Sequence, residues 1–204
     1  MGKPVPDNLG PTARGAVFID RDGTINKEVD YLSRLDQLSL IPGAARAIQK
    51  LNENGLKVII ITNQSGVARG LFGEGFVEDA HRTLQKMLAD EGAHFDAAYF
   101  CPHHPDGVIE AYKKVCDCRK PATGMVDLAC REHTIQPAES YVIGDKYSEI
   151  LLAHTIGGTG ILVKTGHGES EIEKFSAGWG GKGPKFVADD LLKAVSWLLQ
   201  NALD

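Results

Sequence analysis

Two carboxylates two residues apart, Asp20 and Asp22, stand in the run Asp20-Arg21-Asp22-Gly23-Thr24, directly after the apolar stretch Ala16-Val17-Phe18-Ile19. Side chains at i and i+2 of extended backbone point the same way, and Gly23 leaves room for the chain to turn. One carboxylate can then attack phosphorus while the other handles the leaving-group proton. Alone the pattern has little specificity, because acidic residues after a strand are ordinary turn formers and DxDG also occurs in calcium loops. Its weight comes from three further segments in order along the chain. Val58-Ile59-Ile60-Ile61 runs into Thr62-Asn63-Gln64-Ser65-Gly66, Arg119-Lys120-Pro121 follows in a polar stretch, and Tyr141-Val142-Ile143 runs into Gly144-Asp145-Lys146.

A second constellation lies between residues 101 and 118. Cys101-Pro102-His103-His104 and Cys116-Asp117-Cys118 offer three sulfurs and an imidazole, a full tetrahedral set for a structural zinc with no position left open for catalysis. The Cys-x-His and Cys-x-Cys spacings are tighter than usual finger spacings, and a disulfide is the competing reading. No signal sequence is evident in the first 14 residues, which favours reduced thiols. Cys130, the fourth cysteine, falls in an apolar helical stretch and is expected in the core.

The elements that must position these groups alternate between strand and helix. After the first strand come a loop to Leu40, a helix from about Gly43 to Asn54 ended by Gly55, and the strand at Val58–Ile61. A helix ending near Gly92 places Val77, Leu84, Met87 and Leu88 on one face. A third strand (Ala97 to Phe100), a polar loop to Pro121, a helix from Gly124 to Arg131 and the strand to Ile143 continue the rhythm. A helix over Glu149 to Ile156 and a strand at Gly160 to Val163 follow. Gly166 to Gly183, glycine-rich and charged, reads as a loose surface loop before a short strand at Phe186-Val187 and a last helix capped by Asp189 or Asp190. Such alternation predicts an α/β fold, a three-layer doubly wound parallel sheet whose site lies outside the carboxyl ends of the strands.

Length and charge bound the function. A chain of 204 residues, 43% hydrophobic, can bury one core, so residues 15–204 are expected to form a single domain behind a flexible tail at 1–14. A net charge of -5 without a basic block points to neither nucleic acid nor an anionic membrane. With no run of membrane-span length, a cytoplasmic protein is expected; the sequence leaves the oligomeric state open, with a monomer favoured.

The four ordered segments make residues 15 to 165 resemble the haloacid dehalogenase superfamily of aspartyl-phosphate-forming phosphatases. That resemblance implies Asp20 as nucleophile and Asp22 as the acid and base. It implies Mg²⁺ held by Asp20, the backbone carbonyl of Asp22 and Asp145, with Lys120, Thr62 and Asn63 balancing and binding the phosphoryl group. Each residue has a bland counterpart: Thr62 and Asn63 as helix caps, Lys120 as a surface lysine, Asp145 as a turn. Four coincidences in the superfamily's order are the harder explanation. Where the superfamily usually carries a second aspartate after Gly144-Asp145, this chain has Glu149, expected to act at the metal's water shell or on Lys120 rather than as a ligand.

With the cysteine-rich loop, the resemblance narrows to the capless heptose bisphosphate phosphatases, relatives of the histidinol-phosphate phosphatases. By that comparison Cys101, His103, Cys116 and Cys118 bind zinc and His104 does not. It also assigns Glu28-Val29-Asp30-Tyr31 to a substrate-contacting loop, which elsewhere in the family commonly reads Asp-His-Gly-Tyr. The changed middle pair leaves anomer preference open. Gln64, Ser65, Arg119 and Lys146 are the remaining candidate contacts to a phosphorylated sugar, with Arg119 fixed by the zinc loop. The enzymatic alternative is a histidinol-phosphate phosphatase or another small phosphomonoesterase. The non-enzymatic one is an inactive zinc-stabilised binding module, against which the intact Asp20, Asp22, Lys120 and Asp145 speak.

Overall fold

Apolar runs that a parallel sheet buries on both faces account for most of the strands. In the computed structural model, which describes residues 15–201, strand β1 (Ala16–Ile19) is buried throughout. It leads through Asp20 to Gly43 into helix α1 (Ala44–Glu53), then strand β2 (Lys57–Asn63), helix α2 (Glu74–Asp90) and strand β3 (Ala97–Cys101). Helix α3 (Gly124–His133), strand β4 (Tyr141–Gly144), helix α4 (Tyr147–Thr155) and strand β5 (Thr159–Val163) follow. Helix α5 (Gly168–Phe175), strand β6 (Phe186–Ala188) and helix α6 (Leu191–Asn201) complete the order. The expected tail at residues 1–14 lies outside the described residues.

All five strand pairings are parallel, in the order β3-β2-β1-β4-β5-β6. Alternation along β1 divides the core in two. Val17 and Ile19 pack with α1, α2 and α6 on one face, and Ala16 and Phe18 with α3 and α4 on the other. Three layers result, and the strand order reverses direction at β1 and β4, which places the tips of both at the switch point. Between β1 and α1 the chain forms two isolated bridges, Asp22 with Asn26 and Asn26 with Leu40, and one 3-10 turn at Leu35–Gln37. No separate cap domain is built there or elsewhere among the described residues.

Gly166 to Gly183, expected as a loose loop, is instead ordered and carries α5 and two 3-10 turns. Phe175 and Trp179 stack on Tyr147 at 5.3 and 6.2 Å, and Glu171 accepts the Tyr147 N–H at 2.8 Å. The partner that orders the segment stands at the start of α4, so glycine content and charge within the segment carried no trace of it. Two smaller differences follow from packing. Cys130 is half-buried at the edge of the second core rather than fully enclosed. At α6 it is Asp190 that caps, accepting the Lys193 N–H at 2.8 Å, while Asp189 pairs with Lys164. No helix among the described residues is long and apolar enough to cross a membrane.

Candidate functional site

The carboxyl-terminal tips of β1, β2 and β4 open onto a cavity of about 610 Å³. At its floor Asp20 is nearly fully buried, and the Lys120 ammonium donates to its Oδ1 at 2.5 Å, to the Ile61 carbonyl at 2.8 Å, and faces Glu149 Oε1 at 3.0 Å. Burial pushes the Asp20 carboxyl up to about 6, with Lys120 pulling it down and Glu149 pushing it up. It is therefore mostly ionised at neutral pH. Burial opposes the Lys120 charge, but Asp20 and Glu149 outweigh it and raise its pKa, so the ammonium persists. Glu149 thus acts on Lys120, and its other oxygen accepts the Lys146 N–H at 2.9 Å at the start of α4.

Lys120 is held from behind as well. Asn63, the last residue of β2, accepts the Lys120 backbone N–H at 3.0 Å and donates to the Lys120 carbonyl at 3.2 Å. Two reciprocal bonds to one peptide segment fix where the lysine side chain begins. Thr62 is buried beside it, its hydroxyl accepting from Gln64 Nε2 at 2.8 Å.

Asp22 is turned toward its own loop. Arg21 donates to it through Nε and Nη2 at 3.2 and 2.8 Å, Asn26 at 2.9 Å and Gln64 at 2.8 Å. Burial alone would raise its pKa, but the Arg21 guanidinium and these donors prevail and hold it below the ordinary carboxylate range. The protonated form that a general acid needs is accordingly not the one that this arrangement favours.

Asp145, fully buried, uses one oxygen to accept the His167 N–H at 2.8 Å, while Oδ1 has no partner among the described residues. Burial, reinforced by the Asp20 charge, pushes its pKa up to about 8. An unpartnered buried carboxylate oxygen beside a second carboxylate is what a divalent cation satisfies, so these residues fit Mg²⁺. The backbone crowds close: a Cβ at Gly23 or Gly166 would lie 2.3 Å from Asp145 Oδ2, and both glycines take positive φ, +81° and +61°.

Of the remaining expected residues, Glu28, Asp30, Tyr31, Asn63, Gln64, Ser65, Arg119 and Lys146 line the cavity, whereas Val29 does not and is exposed. Glu28 Oε2 lies 3.6 Å from Lys146 Nζ and 3.4 Å from His167 Nε2. Sequence reasoning passed over His167, Ser148 and Phe72, which also line it. His167 was within reach, because Lys164-Thr165-Gly166-His167 follows the apolar end of β5 just as the other site segments follow theirs.

The cysteine-rich loop gathers Cys101, His103, Cys116 and Cys118, their donor atoms all within 4.8 Å of one another. Sulfur separations are 2.9 to 3.5 Å, and His103 Nδ1 stands 3.2 and 3.8 Å from Cys118 and Cys101. Zinc bonds of about 2.3 Å to sulfur and 2.0 Å to nitrogen give tetrahedral edges of roughly 3.5 Å from nitrogen to sulfur, which the His103 distances bracket, and roughly 3.8 Å between sulfurs, somewhat wider than the separations here. No disulfide joins the sulfurs, and their convergence with His103 favours the metal reading over the disulfide one. Burial pushes the Cys101 thiol above its ordinary value, so a thiolate there needs a cation beside it. His104 stands apart, its Nδ1 accepting the Asp106 N–H. From this loop the His103 carbonyl accepts from Arg119 Nη1 at 3.4 Å, which ties the guanidinium to the cavity wall.

This fold and site define a class. Residues 17–86 match the family model described as haloacid dehalogenase-like hydrolase, and residues 117–194 match a second, HAD-hydrolase-like model. The D-glycero-D-manno-heptose-1,7-bisphosphate 7-phosphatase of Thermosynechococcus vestitus is 42% identical over 189 residues, 91% of this chain and 95% of that one. The chain therefore belongs to the haloacid dehalogenase-like hydrolases. The D-glycero-beta-D-manno-heptose-1,7-bisphosphate 7-phosphatase of Escherichia coli K12 is 40% identical, covering 80% of this chain and 86% of its own. Among solved structures, the D,D-heptose 1,7-bisphosphate phosphatase of B. bronchiseptica, complexed with magnesium and phosphate, superposes with a TM-score of 0.80 at 31% identity. It covers 91% of this chain and 98% of that one.

Proposed function

We propose that this protein is a magnesium-dependent phosphatase that removes the 7-phosphate of D-glycero-D-manno-heptose 1,7-bisphosphate through a phosphoryl group carried on Asp20, with zinc as a structural ion at residues 101–118. The observation that carries the reading is the Asp20–Lys120–Glu149 cluster at the floor of the cavity, beside the unpartnered Asp145 oxygen. The names and extents of its relatives supply the sugar.

Asp20 attacks phosphorus in line; the Asp20–phosphorus bond forms as the bond to the sugar oxygen breaks. Asp22 gives the departing alkoxide its proton, then takes one from the water that releases inorganic phosphate and restores Asp20. Since Asp22 is held ionised by Arg21, Asn26 and Gln64, the proton has to arrive with the substrate. A phosphate brought close adds negative charge, which raises the Asp22 pKa and favours proton uptake. When bound by Asp20, the Asp22 carbonyl and Asp145, Mg²⁺ supplies positive charge where the phosphoryl oxygens gain negative charge. Lys120 keeps Asp20 charged and in place, while the Thr62 hydroxyl and the Asn63 N–H bind phosphoryl oxygens.

Arg119 and Lys146 provide two further cations on the cavity wall, suited to the second phosphate of a bisphosphate. Glu28, Asp30 and Tyr31 face the sugar hydroxyls. Thiolate ligation of zinc at residues 101–118 accords with a cytoplasmic location. The test is a panel of heptose bisphosphate, histidinol phosphate and fructose 1,6-bisphosphate, with and without Mg²⁺. The heptose is expected to give the highest kcat/KM; a higher value on histidinol phosphate overturns the substrate assignment.

A further inference from the structure

The segment after β5, Thr165 to Glu171, touches the loop after β1, the loop after β4 and the start of α4. Thr165 Oγ1 donates to the Gly23 carbonyl at 2.6 Å, the His167 N–H donates to Asp145 Oδ2 at 2.8 Å, and Glu171 accepts the Tyr147 N–H at 2.8 Å. Gly166 lies between the first two, with the virtual Cβ at that position 2.6 Å from the Gly23 Cα and 2.3 Å from Asp145 Oδ2. The segment therefore joins the loop after β1 to the loop after β4 where Gly23 and Asp145 crowd together. One oxygen of Asp145 is occupied by this bond, and Oδ1 alone is left unpartnered.

We infer that Thr165 is a positioning residue for the divalent cation: by fastening the Gly23 carbonyl it sets the distance between the Asp22 carbonyl and the free oxygen of Asp145. Thr165 does not line the cavity, and its hydroxyl bonds the Gly23 carbonyl rather than any of the proposed metal ligands. Its contribution is preorganisation, since a cation gains most from oxygens already held at the right separation. A valine at this position keeps the branched shape and loses only the donor, leaving the Gly23 carbonyl free to turn to water and the loop free to move away from Asp145.

The inference rests on the magnesium reading above, and direct metal binding separates the two. Mn²⁺ binding to the full chain is measured by titration, with no substrate present, for wild type, Thr165→Val and Thr165→Ser, along with the melting temperature in chelator. Thr165→Val is expected to bind Mn²⁺ about ten-fold or more weakly, the loss typical of removing a group that orients a ligand. Thr165→Ser, which keeps the hydroxyl, should stay within about three-fold of wild type, and the same order should appear in the Mg²⁺ concentration needed for half-maximal turnover. Thr165→Ala replaces the valine variant should the latter not fold. Wild-type affinity in a folded variant that lacks the hydroxyl overturns the positioning role alone; no Mn²⁺ binding by the wild type overturns the metal reading beneath it.

Discussion

Replacing Lys120 by methionine tests the charge balance at the cavity floor. Nζ is almost wholly shielded, donates to Asp20 and the Ile61 carbonyl, and lies 3.0 Å from Glu149. Methionine fills a similar volume but leaves the buried carboxylates of Asp20 and Glu149, near a third at Asp145, with only the Lys146 charge to offset them. Removing one member of a buried ion pair costs about 3–5 kcal/mol. At about 2–4 °C per kcal/mol for a domain of this size, the metal-free melting temperature should fall by roughly 6–20 °C. The loss should depend on pH with a definite sign. Asp20 is already pushed up to about 6 with Lys120 present, and without it the pKa rises further. The folded variant then binds more protons than the unfolded chain, so its stability relative to wild type falls as pH rises. Thermal melts in chelator at about pH 5.5 and about pH 8 should show the larger deficit at the higher pH. Adding Glu149→Gln should return part of it, because the two changes share one cluster. A deficit under about 1 kcal/mol at the higher pH, with no recovery in the double variant, would refute the claim that the lysine balances these carboxylates.

Three other outcomes follow from separate parts of the structure. His81 is buried, and burial with the nearby Arg21 charge pushes its pKa down from 6.5 to about 4. The unfolded chain therefore takes up a proton that the folded one refuses. Stability held above pH 6.5 should be lost progressively toward pH 4, by up to about 3 kcal/mol, and a His81→Leu variant should flatten that part of a pH–stability curve. Metal analysis of protein purified without chelator should find about one zinc per chain, and Cys116→Ser should lower both zinc content and melting temperature; protein free of zinc with an unchanged melt would contradict the loop's assignment. Asn63→Ala removes both bonds to the Lys120 peptide, so kcat should fall about ten-fold or more with a smaller change in KM; a change confined to KM would point instead to a pure binding role.

What the sequence made legible was whatever is encoded locally. The tips of β1, β2 and β4 were readable because each is a short apolar run that stops at polar residues, and a parallel sheet gathers such tips on one edge. The gathering of Cys101, His103, Cys116 and Cys118 was legible from residue type, since three cysteines and a histidine in so apolar-poor a stretch are expected to converge. What escaped depends on partners distant in the chain. The helix at Gly168–Phe175 is ordered by Tyr147, and its neighbour Thr165 reaches Gly23, 142 residues away. Asn63 clamps Lys120 across 57 residues, a contact that its side chain's type leaves undetermined. The orientation of Asp22 at the cavity wall is likewise set in part by Gln64, 42 residues away, something that spacing alone does not record.

The central claim is that Asp20 carries the phosphoryl group. It is tested most directly by mixing enzyme, Mg²⁺ and heptose bisphosphate, quenching in acid within a turnover, reducing with borohydride and sequencing the peptides by mass spectrometry. Reduction of an acyl phosphate at position 20 should convert that aspartate to homoserine, only when substrate and Mg²⁺ are both present, and the product should be absent from a folded Asp20→Asn variant that no longer turns over. Modification at another residue, or turnover by Asp20→Asn at the wild-type rate, would contradict the account.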